Sequence, residues 1–198
     1  MNTGKKQTKI IITGFGGQGI ILAGRIFGAA AALGDKKEST LVQSYGPESR
    51  GGSCSAQVII ADKTIHYPYI KYPDILICMS QSGCDKFAAN LIKDGFLISD
   101  EDLIKPPKNL SINSFFIPAT RMAEKLGQKM MANIIMTGFS TAITGMVSVN
   151  AARKTVEKSV PEGTEKKNID AFNKGYEYGV AALKGREKKA AGKTGAFE

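Results

Sequence analysis

Short apolar runs rich in β-branched residues alternate along the chain with longer segments in which apolar positions recur three or four residues apart. The run KIIITG (9–14) ends at a glycine, and ILICMS (75–80) follows Pro73 and Asp74, which is typical of buried strands. The same pattern predicts strands at 38–44, 53–61, 64–67 and 95–99, and a loop with a short strand in 105–113. The longer segments predict helices at 17–33, 81–93, 119–126, 130–147, 150–158 and 168–184.

The order of these elements predicts an α/β fold. Strands that alternate with helices form mostly parallel sheets with helices on both faces. Asp62 and Lys63 are suited to a hairpin turn between the 53–61 and 64–67 strands, so we expect one antiparallel hairpin in the sheet. Sheets of this kind bind their ligands at the carboxyl ends of the strands.

The chain is long enough for one domain and little more. Its 198 residues, 42% of them hydrophobic, are sufficient for one sizeable core. The pattern predicts an N-terminal tail at 1–8, a single domain at 9–185, and a basic disordered tail at 186–198. The first residues run straight into a strand without an apolar signal segment, and the three cysteines form no CxxC pair. We therefore expect a reducing, cytoplasmic location.

The net charge of +9 is consistent with a nucleic-acid, membrane or acidic partner, and equally with simple solubility. The basic ends of the chain are not interleaved with aromatic residues, and no helix-turn-helix, zinc-finger or RRM signature is present. The uncharged stretch 130–152 is long enough to span a bilayer, but polar residues interrupt it and no aromatic belt flanks it. We expect a buried helix followed by a second short one, and neither nucleic acid nor membrane as a partner.

The chemistry-bearing residues are too few for a metal centre or a catalytic triad. A cysteine-ligated 4Fe–4S cluster takes four thiolates, whereas this chain has Cys54, Cys78 and Cys84. His66 is the single histidine and is remote from the cysteines in sequence, so a zinc site or a Ser-His-Asp arrangement is equally poor. We expect no metal and no catalytic residue on this chain, and a buried structural role for Cys54.

The segment TGFGGQGIILAGRIFG (13–28) places glycines between a predicted strand and a predicted helix. Gly14, Gly16 and Gly19 match GxGxxG, which permits a tight turn and presents a helix N-terminus to an anion such as phosphate. A dinucleotide site also needs an acidic residue at the end of the second strand, which here reads Val42-Gln43-Ser44. NAD and FAD are therefore disfavoured, and a tight turn without a ligand remains an alternative.

A second glycine-rich segment, YGPESRGG (45–52), also follows a predicted strand, so both segments are expected at the carboxyl edge of the sheet. Glu48 and Arg50 either pair with each other or reach a partner chain. Ser80 and Gln81 fall at the same edge, where Ser80 is equally suited to a helix N-cap. Asn133 and Thr137, on the uncharged helix, either reach the glycine loop or satisfy only backbone groups.

Three stretches, GFGGQGIILAGRIFGAAA, QSYGPESRGGSCSAQVII and YPDILICMSQ, resemble the gamma chain of 2-oxoacid:ferredoxin oxidoreductases. The resemblance covers about residues 9–185 and is most specific in the first hundred. The block that contains Tyr45 is most similar to that of the 2-oxoglutarate enzyme. A gamma chain of a pyruvate or 2-oxoisovalerate enzyme, or a stand-alone nucleotide- or CoA-binding module, remains the alternative.

The resemblance implies a multi-subunit enzyme that oxidatively decarboxylates a 2-oxoacid with CoA to acyl-CoA, CO2 and reduced ferredoxin. It implies thiamine diphosphate with Mg and 4Fe–4S clusters on or with other chains, alpha, beta and possibly delta chains as partners, and an accessory α/β gamma domain that helps bind or admit CoA. The residues expected at the CoA phosphates or the crevice are Gly14, Gly16, Gly17, Gln18, Gly19, Ser80 and Gln81. Those expected at an interface or the active-site edge are Tyr45, Gly46, Pro47, Glu48, Arg50, Gly51 and Gly52.

We expect Arg50→Ala to weaken assembly of the complex or use of CoA, because the substitution removes the cation that this loop would offer to a partner or an anionic ligand. The measurements are the yield of complex and the Michaelis constant for CoA. If neither changes, the loop does not have this role.

Overall fold

The computed structural model describes residues 7–47, 51–105 and 113–194, which form a six-stranded mixed sheet covered by helices. The strand order is β2-β3-β1-β4-β5-β6, in which β1, β4, β5 and β6 are parallel and β3 runs antiparallel between β1 and β2. The predicted α/β class with a mostly parallel sheet is confirmed. The strands are β1 (Gln7–Phe15), β2 (Glu38–Tyr45), β3 (Ser53–Ala61), β4 (Ile75–Cys78), β5 (Phe96–Asp100) and β6 (Asn113–Ile117).

Six α-helices connect or follow the strands in the described part of the chain. A π-helical turn at Ala30–Gly34 extends the first helix, and 3₁₀ turns lie at Ala88–Asn90 and Lys129–Met131. The bounds lie within a few residues of those predicted, except at the C-terminus. The helices are α1 (Ile20–Ala29), α2 (Gln81–Phe87), α3 (Ala119–Lys125), α4 (Ala132–Thr144), α5 (Val149–Ser159) and α6 (Glu165–Thr194).

The antiparallel element differs from the predicted hairpin. Residues 64–67 form no strand, and the antiparallel partners of β3 are β1 and β2. Both hydrogen-bonding edges of β3 are therefore occupied, which leaves no edge for a hairpin partner after Ala61. Instead residues 62–74 cross a face of the sheet, where the Ile70 amide donates to Gln57 Oε1 at 2.8 Å. The prediction of a 53–67 hairpin is wrong because β3 pairs instead with β2, the strand that precedes it, and with the more distant β1.

The two faces of the sheet are covered differently. Alternate side chains such as Ile10, Val58 and Ile77 join the core formed with α1 and α3–α6. The opposite set, which includes Ile11, Ile59 and Leu76, packs against α2 and against Ile70 of the crossing segment. Helices thus lie on both faces, as predicted, but irregular chain completes the cover of the second face.

Helix α4 is the uncharged stretch of the sequence, and the structure buries it. Its threonine hydroxyls donate to the carbonyl four residues earlier: Thr137 Oγ1 donates to Asn133 O and Thr141 Oγ1 to Thr137 O, both at 2.8 Å. The prediction of a buried helix followed by a second short helix is confirmed by α4 and α5. Among the described residues, no helix combines the length and the apolar character that crossing a bilayer requires.

Helix α6 continues past Gly185 to Thr194, although a disordered tail is predicted from residue 186. Arg186 explains part of this continuation, because its guanidinium lies 3.8 Å from the Phe115 ring centroid and donates to the Ser114 carbonyl of β6. The sequence from 187 to 194 is also rich in Lys and Ala, which favour helix. Residues 186–194 are thus helical, which corrects that expectation. Of the tail predicted at 1–8, Gln7 and Thr8 belong to β1, and residues 1–6, like residues 195–198, lie outside the described residues.

Helices α4 and α6 approach each other through glycines. A Cβ placed on Gly175 would overlap the Ile135 carbonyl, and one on Gly138 would overlap the Phe172 carbonyl. The facing atoms belong to the backbone, so they cannot move aside as the end of a flexible side chain can. Close packing of α4 against α6 therefore requires glycine at these positions.

We expect Gly175→Ala to lower the free energy of unfolding by about 2–3 kcal/mol through overpacking against the α4 backbone. Gly185→Ala is the matched control in the same helix, since no atom lies within 4 Å of a Cβ there. It should change stability by less than about 1 kcal/mol, in the stabilising direction. Urea titration of both variants provides the comparison, and equal effects would contradict the proposed contact.

Candidate functional site: a glycine-lined edge of the sheet

The two glycine-rich segments meet where β1 ends and β3 begins. Phe15 pairs with Ser53 in the register of these strands, the Gly16 amide donates to Gly52 O at 2.8 Å, and the Gly46 amide donates to Ser53 O at 2.6 Å. The segments thus lie side by side at the carboxyl end of β1, as predicted. We call residues 14–19 together with 45–47 and 51–52 the glycine-lined edge.

Backbone conformation explains the glycines of the first segment. Gly17 has φ +93° and Gly19 has φ +73°, in the left-handed region that disfavours side chains. No atom lies within 4 Å of a Cβ built on Gly17, so the tip of the loop faces open space. A Cβ on Gly19 would overlap the side chain of Asn133 instead. The loop is therefore open at Gly17 and closely packed at Gly19, where α1 begins.

Gln18 holds the loop from within. Its Oε1 accepts from the Phe15 amide at 2.7 Å, and its Nε2 donates to the Met79 carbonyl at 3.0 Å. Because Met79 directly follows β4, this side chain ties the end of β1 to the end of the neighbouring strand. The amide group of Gln18 is thus engaged inside the chain, and any ligand at this loop would meet mainly its backbone.

Asn133, at the start of α4, reaches the glycine loop across 114 residues of sequence. Its Nδ2 donates to the Gly19 carbonyl at 3.2 Å, and its Oδ1 is buried with no hydrogen-bond partner among the described residues. Thr137 does not reach the loop, because its hydroxyl bonds to Asn133 O. Of the two alternatives left open by the sequence, Asn133 reaches the glycine loop, whereas Thr137 satisfies only a backbone carbonyl.

Ser80 and Gln81 lie at the same edge and are engaged in local contacts. Ser80 Oγ accepts from the Gly83 amide at 3.2 Å, which confirms the predicted N-cap of α2. Gln81 Oε1 accepts from the Lys105 amide at 2.8 Å, while its Nε2 donates to Asp85 Oδ1 at 2.8 Å and to the Lys105 carbonyl at 3.2 Å. These bonds fix α2 and the chain after β5 at the end of the sheet.

The second glycine segment is exposed in its described part. Tyr45 lies on the surface, and its hydroxyl donates to Gln43 Oε1 at 2.5 Å. Pro47 and Gly51 are also exposed, whereas Glu48 and Arg50 lie outside the described residues. Phe15 is likewise exposed beside the loop, although the sequence did not single it out. It is the last residue of a buried apolar strand, so the sequence predicts a core position for it.

The three thiols are buried and lie on different faces of the sheet. Cys54 packs in the helical layer that contains α1, whereas Cys78 and Cys84 pack on the opposite face. Burial raises the pKa of Cys54 and of Cys78, and a hydrogen bond from Cys78 lowers the pKa of Cys84. Cys54 is buried, as predicted. Within the described ranges, no three His, Cys, Asp or Glu residues are grouped closely enough to hold a metal ion.

A cavity of about 450 Å³ lies elsewhere, between the end of α1 and helix α5. Leu33, Ala151, Lys154 and Lys158 are among the residues that line it. None of the predicted site residues that the structure describes lines this cavity. The glycine-lined edge is thus a surface formed by two loops, and it is separate from this cavity.

Comparison with known proteins identifies the family. The model of the pyruvate ferredoxin/flavodoxin oxidoreductase family matches residues 9–178. The chain belongs to this family. It is 46% identical over 176 residues to 2-oxoglutarate synthase subunit KorC of Methanocaldococcus jannaschii, an alignment that covers 87% of this chain and 94% of the relative. It is 31% identical over 168 residues to pyruvate synthase subunit PorC of Methanothermobacter marburgensis, covering 83% and 93%.

A solved structure supports the same assignment. The gamma subunit of a keto/oxoacid ferredoxin oxidoreductase from Geobacter sulfurreducens PCA superposes with a TM-score of 0.78 at 38% identity, covering 88% of this chain and 99% of that one. The predicted resemblance to the gamma chain is confirmed. The chain described here is therefore a subunit of an oxidoreductase complex.

We expect Gln18→Met to lower the free energy of unfolding by about 1–3 kcal/mol, because it leaves the Phe15 amide and the Met79 carbonyl without their side-chain partner. Gln128→Met, at an exposed glutamine, is the matched control and should stay within about 0.5 kcal/mol of the wild type. Chemical denaturation measures both. A Gln18 variant as stable as the Gln128 variant would show that the two bonds contribute little.

Proposed function

We propose that the chain is the gamma subunit of a 2-oxoglutarate:ferredoxin oxidoreductase and that its glycine-lined edge helps bind or admit CoA. The observation that carries the proposal is the juxtaposition of the two glycine segments through Gly16 and Gly52 at the start of α1. The higher identity to the 2-oxoglutarate synthase subunit than to the pyruvate synthase subunit supports the choice of substrate. Pyruvate and 2-oxoisovalerate are the alternative substrates.

The chemistry of the edge suits a phosphate group. The Gly16 and Gln18 amides bond within the fold, to Gly52 O and to Phe15 O, and no side chain in the described part of the chain caps α1. No atom lies within 4 Å of a Cβ built on Gly17, so we place the phosphate on the open side of the loop at that residue. Peptide amides at a helix N-terminus attract anions, and the helix dipole adds to the effect. Gln18 and Asn133 hold this loop in place, while the chain itself offers backbone donors to the ligand.

In the proposed complex the redox chemistry belongs to other subunits. CoA accepts the acyl group that remains when the 2-oxoacid loses CO2, and two electrons pass through 4Fe–4S clusters to ferredoxin. Cys54 is separated by the sheet from Cys78 and Cys84, so these thiols do not converge on one cluster. We therefore assign thiamine diphosphate, Mg and the clusters to alpha, beta and possibly delta chains, and we propose a cytoplasmic location, where free thiols stay reduced.

The experiment for the whole proposal is co-purification of a tagged chain with the subunits encoded beside it, followed by viologen-dye reduction assays. We expect reduction that depends on both 2-oxoglutarate and CoA. A preference for pyruvate or 2-oxoisovalerate would correct the substrate and leave the subunit assignment standing. A chain that purifies alone yet binds CoA would favour the stand-alone module.

A charge placed at Gly17 tests the proposed CoA role. Gly17→Asp adds a carboxylate at the open tip, whereas Gly17→Asn adds a neutral side chain of the same shape and tolerates the same φ of +93°. We expect the Asp variant to raise the Michaelis constant for CoA at least tenfold relative to the Asn variant, because the carboxylate repels the CoA phosphates.

The Michaelis constant for the 2-oxoacid should be the same in both variants, since that substrate is assigned to other chains. Equal constants for CoA in the Asp and Asn variants would show that the glycine loop is only a structural turn.

A further inference from the structure

We propose that residues 62–74, here called the tyrosine loop, form a docking surface for another subunit of the same complex, at a site on that subunit where carboxylates surround an apolar centre. The inference rests on the proposed function in requiring that the chain is assembled with other subunits. It concerns a surface that is separate from the glycine-lined edge. The tyrosine loop follows the end of β3 at Ala61, which pairs with Gln7 at the opposite end of β1 from Phe15.

Three tyrosines in this loop point to solvent. Tyr67, Tyr69 and Tyr72 are 69%, 56% and 53% exposed, and they make up half of the six tyrosines in the chain. Tyr67 and Tyr69 pack against each other, with ring centroids 5.4 Å apart and planes tilted by 57°. Water contact with so many aromatic rings on one short segment costs free energy that burial against a partner would recover. Tyrosine is also among the residues most enriched at energetically dominant interface positions.

The backbone beneath these rings is held at several points. Ile70 is buried against the second face of the sheet, and its amide donates to Gln57 Oε1 at 2.8 Å. At the end of the loop, the Asp74 amide donates to Lys9 O at 2.8 Å, and the Lys9 amide donates to Asp74 Oδ2 at 2.7 Å. A fixed main chain that presents tyrosines, which have only two side-chain torsions, loses little conformational entropy on binding. The loop is therefore preorganised for contact.

The charges around the rings indicate the chemistry of the partner. Lys63, His66 and Lys71 are exposed, and the Lys71 Nζ lies 5.2 Å from the Tyr72 ring centroid. The two carboxylates of the loop are engaged within the chain, since Asp62 pairs with Lys37 at 3.5 Å and Asp74 Oδ2 accepts from the Lys9 amide at 2.7 Å. The loop thus presents two exposed lysines beside its tyrosines, on a chain whose net charge is +9. An apolar surface with acidic residues at its rim is complementary to it.

Nucleic acid is the competing partner, because aromatic rings and lysines also bind single strands. The geometry favours a protein. Tyr67 and Tyr69 contact each other at an angle of 57°, so they do not offer parallel faces on which successive bases would stack. The relatives KorC and PorC are also named as subunits, which supports a protein neighbour for this chain.

The test is reassembly of the purified tagged chain with the remaining subunits of the complex, with the dissociation constant as the readout. We expect the double variant Tyr67→Ser/Tyr69→Ser to raise this constant at least tenfold. Its melting temperature as an isolated chain should be unchanged, because both rings lie outside the core. Leu33→Ser is the matched control. Leu33 is 75% exposed in the π-helical turn that extends α1, outside the tyrosine loop. This variant should leave the dissociation constant unaltered.

A second variant tests charge without removing a ring. Lys63→Glu/Lys71→Glu should raise the dissociation constant at least fivefold at low salt, and the difference from the wild type should shrink at high salt. Unchanged constants for both double variants, with an assembling wild type, would overturn the docking surface and leave the proposed function intact. Failure of the wild type to assemble would contradict the proposed function and the docking surface together.

Salt-sensitive binding of a single-stranded oligonucleotide, lost in the tyrosine variant while assembly is retained, would also overturn the proposal. That result would assign the loop to nucleic acid. An effect of Leu33→Ser as large as that of the tyrosine variant would mean that the tyrosine loop has no special part in assembly.

Discussion

The direct backbone contact between α4 and α6 is the constraint on which the rest of the molecule depends. Glycines at 138 and 175 let the two helices approach until carbonyl groups and α-carbons touch. This approach keeps α4 buried between the sheet and α6, with its threonine hydroxyls bonded to its own carbonyls. The N-terminal end of α4 then lies beside the glycine loop, where Asn133 bonds to Gly19. A packing requirement in the helical layer thereby supports the shape of the candidate site.

In the glycine-lined edge, side chains hold the loops in place and the backbone is the part left open to a ligand. Gln18 and Asn133 use their amide groups to hold the loop. The Ser80 hydroxyl and the Gln81 amide group fix α2 beside it. The part of the loop that remains open is the peptide backbone at Gly17. Backbone donors do not titrate, and they bind anions through dipoles rather than through formal charge. Such a surface suits a phosphate-bearing ligand that must enter and leave in every catalytic cycle.

The proposed functions occupy opposite ends of the sheet. The glycine-lined edge lies where β1 ends, and the tyrosine loop begins and ends near the strand's start, at Gln7 and Lys9. A subunit docked on the tyrosine loop would leave the glycine-lined edge accessible. This arrangement allows a small accessory domain to be held in a complex by one surface while another faces a ligand.

The sequence by itself determined strands β1 to β5, the approximate positions of the six helices, the position of both glycine segments at one sheet edge, the N-cap at Ser80 and the family. It did not determine β6, which lies at Asn113–Ile117 and not within 105–113. These features depend on local chemistry: apolar periodicity, glycine conformations and a hydroxyl three residues before an amide. The tertiary structure alone decided the partners of β3, the contact of Asn133 with Gly19 and the extension of α6 over β6 by Arg186. The β1–β3 pair, the Asn133 contact and the Arg186 contact each join residues far apart along the chain, in an arrangement that only the packing of the whole core determines. The hairpin prediction failed because β1 and β2 occupy both edges of β3, so the local turn at Asp62 and Lys63 had no edge to pair with.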